Sequence, residues 1–326
     1  MILKKLLNVQ KQFYLPRNIL VKRDYQMNNK ILISEINNLA KENVGELITL
    51  AEQKYISSCQ FVAKEIKDKG IKIVLISGPS SAGKTTSSFR LQEQLSLINV
   101  PSHVLNMDNF FIDMDKLPLR VDGEPNIEDL CALDVECIRK CLGEILLTNK
   151  TKTPEFDFVT HSRKKDWIDC VLEGNEVIIM EGIHAHNPAI VEGLDRKLIY
   201  KVYLDCESSF VVGKQTLNSR EIRLIRRMIR DERDRKVPYL LTVQMWDEVC
   251  KGEDKNIKPF KSDADYIIDT VHSYELLLYK FVIRDKLLKY SKDKEVAKLL
   301  KIFNKCLEID KTLIPKSSLI REFVGK

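Results

Sequence analysis

Nine consecutive residues constrain this chain more than any others: Gly78-Pro79-Ser80-Ser81-Ala82-Gly83-Lys84-Thr85-Thr86. They fit G-x-x-x-x-G-K-[ST], a glycine-rich loop whose backbone amides cradle phosphate. Such a loop needs a strand before it and a helix after it. Residues 71–77 form a short apolar run, the length of a buried strand, and 84–97 carry a helical pattern. Gly78 and Gly83 permit backbone angles and close approach that a β-carbon would forbid. Successive N–H groups can then wrap an anion, helped by the positive end of the helix. Residues Gly78 to Thr86 are therefore expected to line an ATP site. Lys84 would neutralise the β- and γ-phosphates, and the Thr85 hydroxyl would join a Mg²⁺ shell.

Strand and helix patterns alternate from residue 71 to 269, which predicts a parallel sheet wound on both faces. Further strands are expected at 102–107, 176–180, 198–204 and 264–269. Helices are expected at 130–147, 220–234, 238–251, 274–289 and 294–307. Residues 154–161 and 167–172 read as a small β excursion, and 108–128, with Pro118, Gly123 and Pro125, as loop. Residues 31–69 read as two helices closed by Gly70. The fold class is α/β: a P-loop NTPase-type, doubly wound parallel sheet with helices on both faces, a β excursion for substrate, and helical N- and C-terminal additions. The implied divisions are an extension (1–30), a helical segment (31–70), the P-loop domain (71–290) and a C-terminal helix with an irregular tail (291–326).

At 326 residues, 44% hydrophobic and 31% charged, the chain has the composition of a folded globular protein. No apolar run approaches the roughly 18 residues of a membrane span. A net charge of +6 is too mild to imply nucleic acid and suits phosphate-rich substrates. Eight cysteines without a CxxC pair predict buried thiols in a reducing, cytoplasmic setting, with Cys137 and Cys141 on a core-facing helical stripe. Residues 1–30 hold seven Lys or Arg against Asp24, but lack the Ser enrichment of a mitochondrial targeting peptide.

Ligands of wound sheets sit beyond the carboxyl ends of the strands. Two acids are expected there. Glu181, directly after 177–180, can hold Mg²⁺. Asp108, ending the strand at 102–107, can accept a hydroxyl proton during phosphoryl transfer, with Asp113, Asp115 and Asp122 as weaker rivals. On a helical wheel Arg220, Arg223, Arg226, Arg227, Arg230 and Arg233 share one half, and Ile222, Leu224, Ile225, Met228 and Ile229 the other. The first half predicts a guanidinium lid over ATP, with Arg223 on the nucleotide and Arg227 and Arg230 on the transferring phosphate. The competing readings of that half are a solvated surface and an RNA-binding face. His184 and His186 are too few for a metal site and are expected to be structural.

Together these pieces resemble the uridine kinase/phosphoribulokinase family. The matching stretches are Met107-Asp108-Asn109-Phe110-Phe111, the run from Pro154 to Arg163, Ile178-Ile179-Met180-Glu181-Gly182-Ile183, the run from Arg223 to Asp231, and Ala264-Asp265-Tyr266-Ile267-Ile268. The resemblance spans about 71–285. It implies ATP and Mg²⁺ at Lys84, Thr85 and Glu181, with Asp108 as general base. It also implies nucleoside contacts at Glu128, Phe156, His161 and Arg227. Glu181-Gly182-Ile183-His184, Met245-Trp246 and the tail from Ile314 to Phe323 are similar to the longer bacterial uridine-kinase-like nucleoside kinases. Those carry an N-terminal module resembling part of threonyl-tRNA synthetase. Residues 31–69 resemble its last helices, and the rest of the module has no counterpart here. Three positions depart from uridine kinases: Glu128 for Asp, Phe156 for Tyr, and Arg235-Lys236-Val237 for Arg-Gly-Arg. The expected acceptor is a nucleoside 5′-hydroxyl. The alternatives are another small alcohol, such as a sugar phosphate or vitamin precursor, and a nucleotide-dependent regulatory or RNA-linked protein. Asp108, Glu181 and the arginines favour an enzyme, since a switch needs no base beside an acceptor. A homo-oligomer is left open.

Overall fold

The computed structural model describes residues 29–119, 126–174 and 176–325. Strand β1 (Lys30–Leu32) leads into α1 (Ile33–Asp68), which leaves helical geometry at Asn43. The Asn43 side chain accepts from the Glu46 amide at 3.1 Å and so caps a second helical stretch. The two-helix reading thus holds, joined at a cap rather than a loop.

Strand β2 (Ile73–Ser77) is buried throughout and enters α2 (Lys84–Leu97) through the glycine-rich turn. Strand β3 (Ser102–Asn106) stops one residue earlier than expected, because Asn106 accepts from the Asp108 amide at 2.8 Å and turns Met107–Phe110 into a 3-10 segment. Helix α3 (Val135–Thr148) starts later than expected, since Asp134 caps it through the Cys137 amide. The β excursion is two antiparallel pairs, β4 (Lys150–Thr153) with β7 (Ile168–Val171) and β5 (Phe156–Asp157) with β6 (Ser162–Arg163).

Next come β8 (Val177–Glu181), α4 (Pro188–Val191) and β9 (Ile199–Asp205). Strands β10 (Ser209–Val212) and β11 (Gln215–Leu217) form a hairpin absent from the sequence reading; β10 pairs in parallel with β1. Helices α5 (Ser219–Arg235) and α6 (Tyr239–Asn256), strand β12 (Tyr266–Asp269), and helices α7 (Glu275–Leu287), α8 (Lys294–Phe303) and α9 (Arg321–Val324) complete the chain. The main sheet has the order β12-β9-β2-β8-β3, with every pairing parallel. Alternation along β2 sends Val74 and Ile76 into one core and Ile73 and Leu75 into the other, so helices cover both faces. No helix among the described residues is long and apolar enough to cross a membrane.

The C-terminal tail differs from its expected irregularity. Ile314, Leu319, Ile320 and Phe323 are buried in the larger core, because the tail doubles back onto α5 and the glycine-rich turn.

Gly78 shows how tightly that turn is held. A β-carbon there would lie 2.3 Å from the Leu204 carbonyl oxygen at the end of β9. Gly78→Ala should therefore lower the unfolding free energy by roughly 1–3 kcal/mol through overpacking. Chemical denaturation measures this; an unchanged midpoint would mean that the turn is free to move off β9.

Candidate active site

The turn after β2 is shaped from behind by α5. This helix forms because Asn218 and Glu221 make a reciprocal capping box ahead of a strongly amphipathic run. It is then enclosed on nearly every side, and its arginines divide. Arg223 and Arg226 are fully buried. Arg223 donates to the Ser80 carbonyl at 3.2 Å and to Glu253 at 2.9 Å. Arg226 donates to the Ser81 carbonyl at 3.3 Å, to Glu275 at 3.0 Å and to the Thr270 carbonyl at 2.8 Å. This corrects two expectations. The arginine half of the helix is not one open guanidinium surface, and Arg223 grips the loop instead of facing nucleotide space. The reason is burial: a guanidinium removed from water must be paired, and each has a buried glutamate to meet.

Arg227 and Arg230 stand on the other side of the division. Arg227 donates to Ser80 Oγ at 3.0 Å and to Asp231 at 3.1 Å, and Arg230 also reaches Asp231. Both border a cavity of about 500 Å³ at the carboxyl ends of the strands. Its floor is the loop, with Ser80, Ser81, Gly83, Lys84 and Thr85. Lys84 folds back to donate to the Gly78 carbonyl at 2.9 Å and the Pro79 carbonyl at 3.2 Å. Thr85 Oγ1 donates to Glu181 at 3.0 Å. Ala82 is buried beneath the turn, and Thr86 opens onto an adjoining groove.

The cavity wall brings together Asp108, Glu128, Glu181, Arg227, Arg230 and Arg235. Burial raises the Asp108 carboxyl above its ordinary range, with Lys84 and Arg235 pulling it back. Burial pushes Glu181 up to about 6, with Lys84 opposing and Asp108 adding to the shift. Burial lowers the Lys84 ammonium, and Glu181, Glu322 and Asp108 counter it. These groups are thus held short of counter-charge. The hard oxygens of Thr85 and Glu181 fit Mg²⁺, which takes one or two protein oxygens and completes its shell with phosphate and water. No cluster of three or more His, Cys, Asp or Glu suited to a metal occurs among the described residues.

Two expected acceptor contacts fall elsewhere. Phe156 is buried behind the wall, its ring 5.7 Å from Phe111 and 5.1 Å from Phe158, and it is those two rings that face the cavity. His161 sits exposed in the turn between β5 and β6 at φ 55°, where its carbonyl accepts from the Met114 amide. Sequence spacing could not show this, because the wall is made by stacking between distant segments. Asp113 is tied to Lys116 and the Arg163 amide rather than to the cavity. Asp122 lies outside the described residues, as do residues 1–28. Glu253, Arg235 and Glu322 also reach the cavity; the sequence placed Arg235 and Glu322 in stretches that resemble the family but gave none of the three a role in the site. Lys236 adopts φ 58°, the left-handed geometry that a glycine takes easily. Burial pushes His184 and His186 down to about 4, which fits the structural role expected of them.

A parallel wound sheet with a phosphate loop, carboxylates at the strand ends and arginines over the cavity defines a P-loop phosphotransferase. The sequence profile of the Phosphoribulokinase / Uridine kinase family matches residues 73–276, and the chain belongs to that family. A uridine kinase of Deinococcus deserti is 28% identical over 197 residues, 60% of this chain and 86% of that protein. The uridine-cytidine kinase-like 1 protein of Mus musculus is 30% identical over 198 residues, 59% of this chain and 32% of that one. A solved structure described as a possible uridine kinase from Bacillus stearothermophilus aligns with a TM-score of 0.44 at 19% identity, covering 65% of this chain and 98% of that one.

The raised Glu181 predicts a stability effect with a definite sign. Its folded value of about 6 lies above the ordinary 4.5. The folded state therefore binds the proton more tightly, and stability falls as pH rises from about 4.5 to 6, then stays reduced. At pH 8 Glu181→Gln should raise the unfolding free energy by about 2 kcal/mol, the equivalent of that shift. At pH 4 the gain should vanish. Denaturant melts at both pH values check this; a gain equal at both would assign the effect to packing instead.

Proposed function

We propose that the protein transfers the γ-phosphate of Mg²⁺·ATP to the 5′-hydroxyl of a nucleoside. The observation that carries this reading is the meeting of Asp108, Glu181, Lys84, Arg227 and Arg230 around one cavity. Asp108, whose carboxyl burial raises above its ordinary range, is suited to take the hydroxyl proton as the oxygen attacks phosphorus. Lys84, Arg227 and Arg230 stabilise the charge on the transferring group. Mg²⁺ held by Thr85 and Glu181 would neutralise phosphate oxygens. Glu128, on the same cavity wall, would accept from the sugar hydroxyls. Phe111 and Phe158 offer flat apolar faces to the base. The similarity to uridine kinases supports a nucleoside over other alcohols. The eight free cysteines suit a reducing compartment such as the cytoplasm.

The apolar part of the cavity lining, with Phe111, Met114, Ile127 and Phe158, has no side-chain group that pairs with the polar edge of a pyrimidine seated on it, and a site that leaves such groups unpaired binds them poorly. Uridine should therefore turn over with kcat/KM below the usual enzyme range of about 10⁴–10⁸ M⁻¹s⁻¹. Asp108→Asn should lower kcat by roughly 10²–10⁴ while leaving ATP affinity nearly unchanged. A steady-state panel of nucleosides and small alcohols, run on both proteins, tests the reading. Nucleoside-independent ATP consumption, or an Asp108→Asn enzyme as fast as the parent when chemistry is rate-limiting, would contradict it.

A further inference from the structure

The C-terminal tail crosses the mouth of the phosphate loop. Leu319 packs on Gly83 so closely that a β-carbon there would lie 2.8 Å from its Cδ1. Arg233 donates to the carbonyls of Phe323 at 2.7 Å and Glu322 at 3.0 Å. The Arg226 guanidinium lies over the Phe323 ring at 4.9 Å. Tyr274 and Ser318 share a hydrogen bond at 3.0 Å, and Arg90 bonds the Ser317 carbonyl. The tail backbone is thus fixed from several sides, and its one acidic side chain in this stretch points at the loop. Glu322 Oε2 accepts from the Thr86 amide at 3.1 Å.

That amide has a particular place. Thr86 is the third residue of α2, so its N–H lacks an intrahelical acceptor. It follows Lys84 and Thr85, which serve the β/γ end of the phosphate chain, and the loop's amides cradle the α- and β-phosphates. A carboxylate on this donor satisfies the same hydrogen bond and the same positive helix end that a phosphate oxygen would. Two anions cannot hold one N–H group at hydrogen-bond distance without strong repulsion.

We propose that Glu322 is a resident competitor of the nucleotide: its carboxylate occupies the Thr86 amide in the free protein, and ATP binds by displacing it. This rests on the reading that the loop binds ATP. The displacement needs only a side-chain rotation, because Leu319, Ile320 and Phe323 anchor the backbone in the core. A receiving surface adjoins, since Glu322 borders a groove with Arg230, Arg233, Arg235, Lys316 and Arg321. The contact therefore sets nucleotide affinity without closing the site. It also keeps the helix end satisfied when no nucleotide is present.

Calorimetric titration of Mg²⁺·ATP into the full chain and its Glu322→Gln and Glu322→Ala variants tests this. Losing the competitor should tighten ATP binding about threefold to tenfold in Glu322→Ala, the share of a charge-assisted hydrogen bond left at a partly exposed site. Glu322→Gln, which keeps an acceptor but no charge, should fall between the two. Thermal melts of the free proteins establish that each is folded; if Glu322→Ala is not, Glu322→Gln decides. Variants that fold and bind ATP as the parent does, or more weakly, would overturn the inference and make Glu322 a bystander or a nucleotide contact. If neither the parent nor any variant binds ATP, the reading of the loop fails, and the inference with it.

Discussion

Two buried guanidinium groups hold the phosphate loop in shape. Arg223 and Arg226 are fully enclosed and donate to the carbonyls of Ser80 and Ser81. In a trans peptide the N–H points away from the preceding carbonyl. Fixing these two carbonyls toward α5 therefore directs the amides of Ser81 and Ala82 away from it. The pairings that make burial tolerable reach into three further elements: Glu253 on α6, Thr270 after β12, and Glu275 on α7. Loop geometry is thus tied to the packing of the domain, and removing one member leaves an uncompensated buried charge, worth about 3–5 kcal/mol.

The cavity in front of the loop has the opposite character. Its charges are unevenly matched: Asp108 and Glu181 are raised by burial and Lys84 is lowered. Such a site is costly to fold and suited to receive a metal ion and a phosphate chain, since both supply the missing counter-charge. The division of α5 into loop-gripping and cavity-facing arginines lets one helix do both jobs between Arg223 and Arg230.

Much of this was legible in the sequence, and the reasons it was legible are physical. The strand–loop–helix around Gly78 and Gly83 has strict local requirements. The buried strands read as apolar runs because both faces of the sheet are covered. Asp108 and Glu181 followed from the rule that ligands gather at carboxyl ends. What escaped depends on contacts between distant segments. The β10–β11 hairpin is short and partly polar, and β10 is completed by a parallel strand about 180 residues earlier in the chain. The helical wheel gave the faces of α5 but not their burial, which α6, α7 and the tail decide. The tail had too few apolar residues in period to announce that Leu319, Ile320 and Phe323 enter the core. Phe156 matched a motif, yet stacking with Phe111 and Phe158 places it behind the wall.

The central claim, that Arg226 builds the loop whereas Arg227 meets the phosphates, is tested most directly by thermal melts of Arg226→Met and Arg227→Met with and without Mg²⁺·ATP. Arg226→Met should melt several degrees below the parent before any nucleotide is added, because Glu275 loses its buried partner. Arg227→Met should melt close to the parent alone but lose most of the nucleotide-induced rise. If both variants lose free-protein stability equally, or if Arg227→Met keeps the full rise with Mg²⁺·ATP, the division of the helix is wrong.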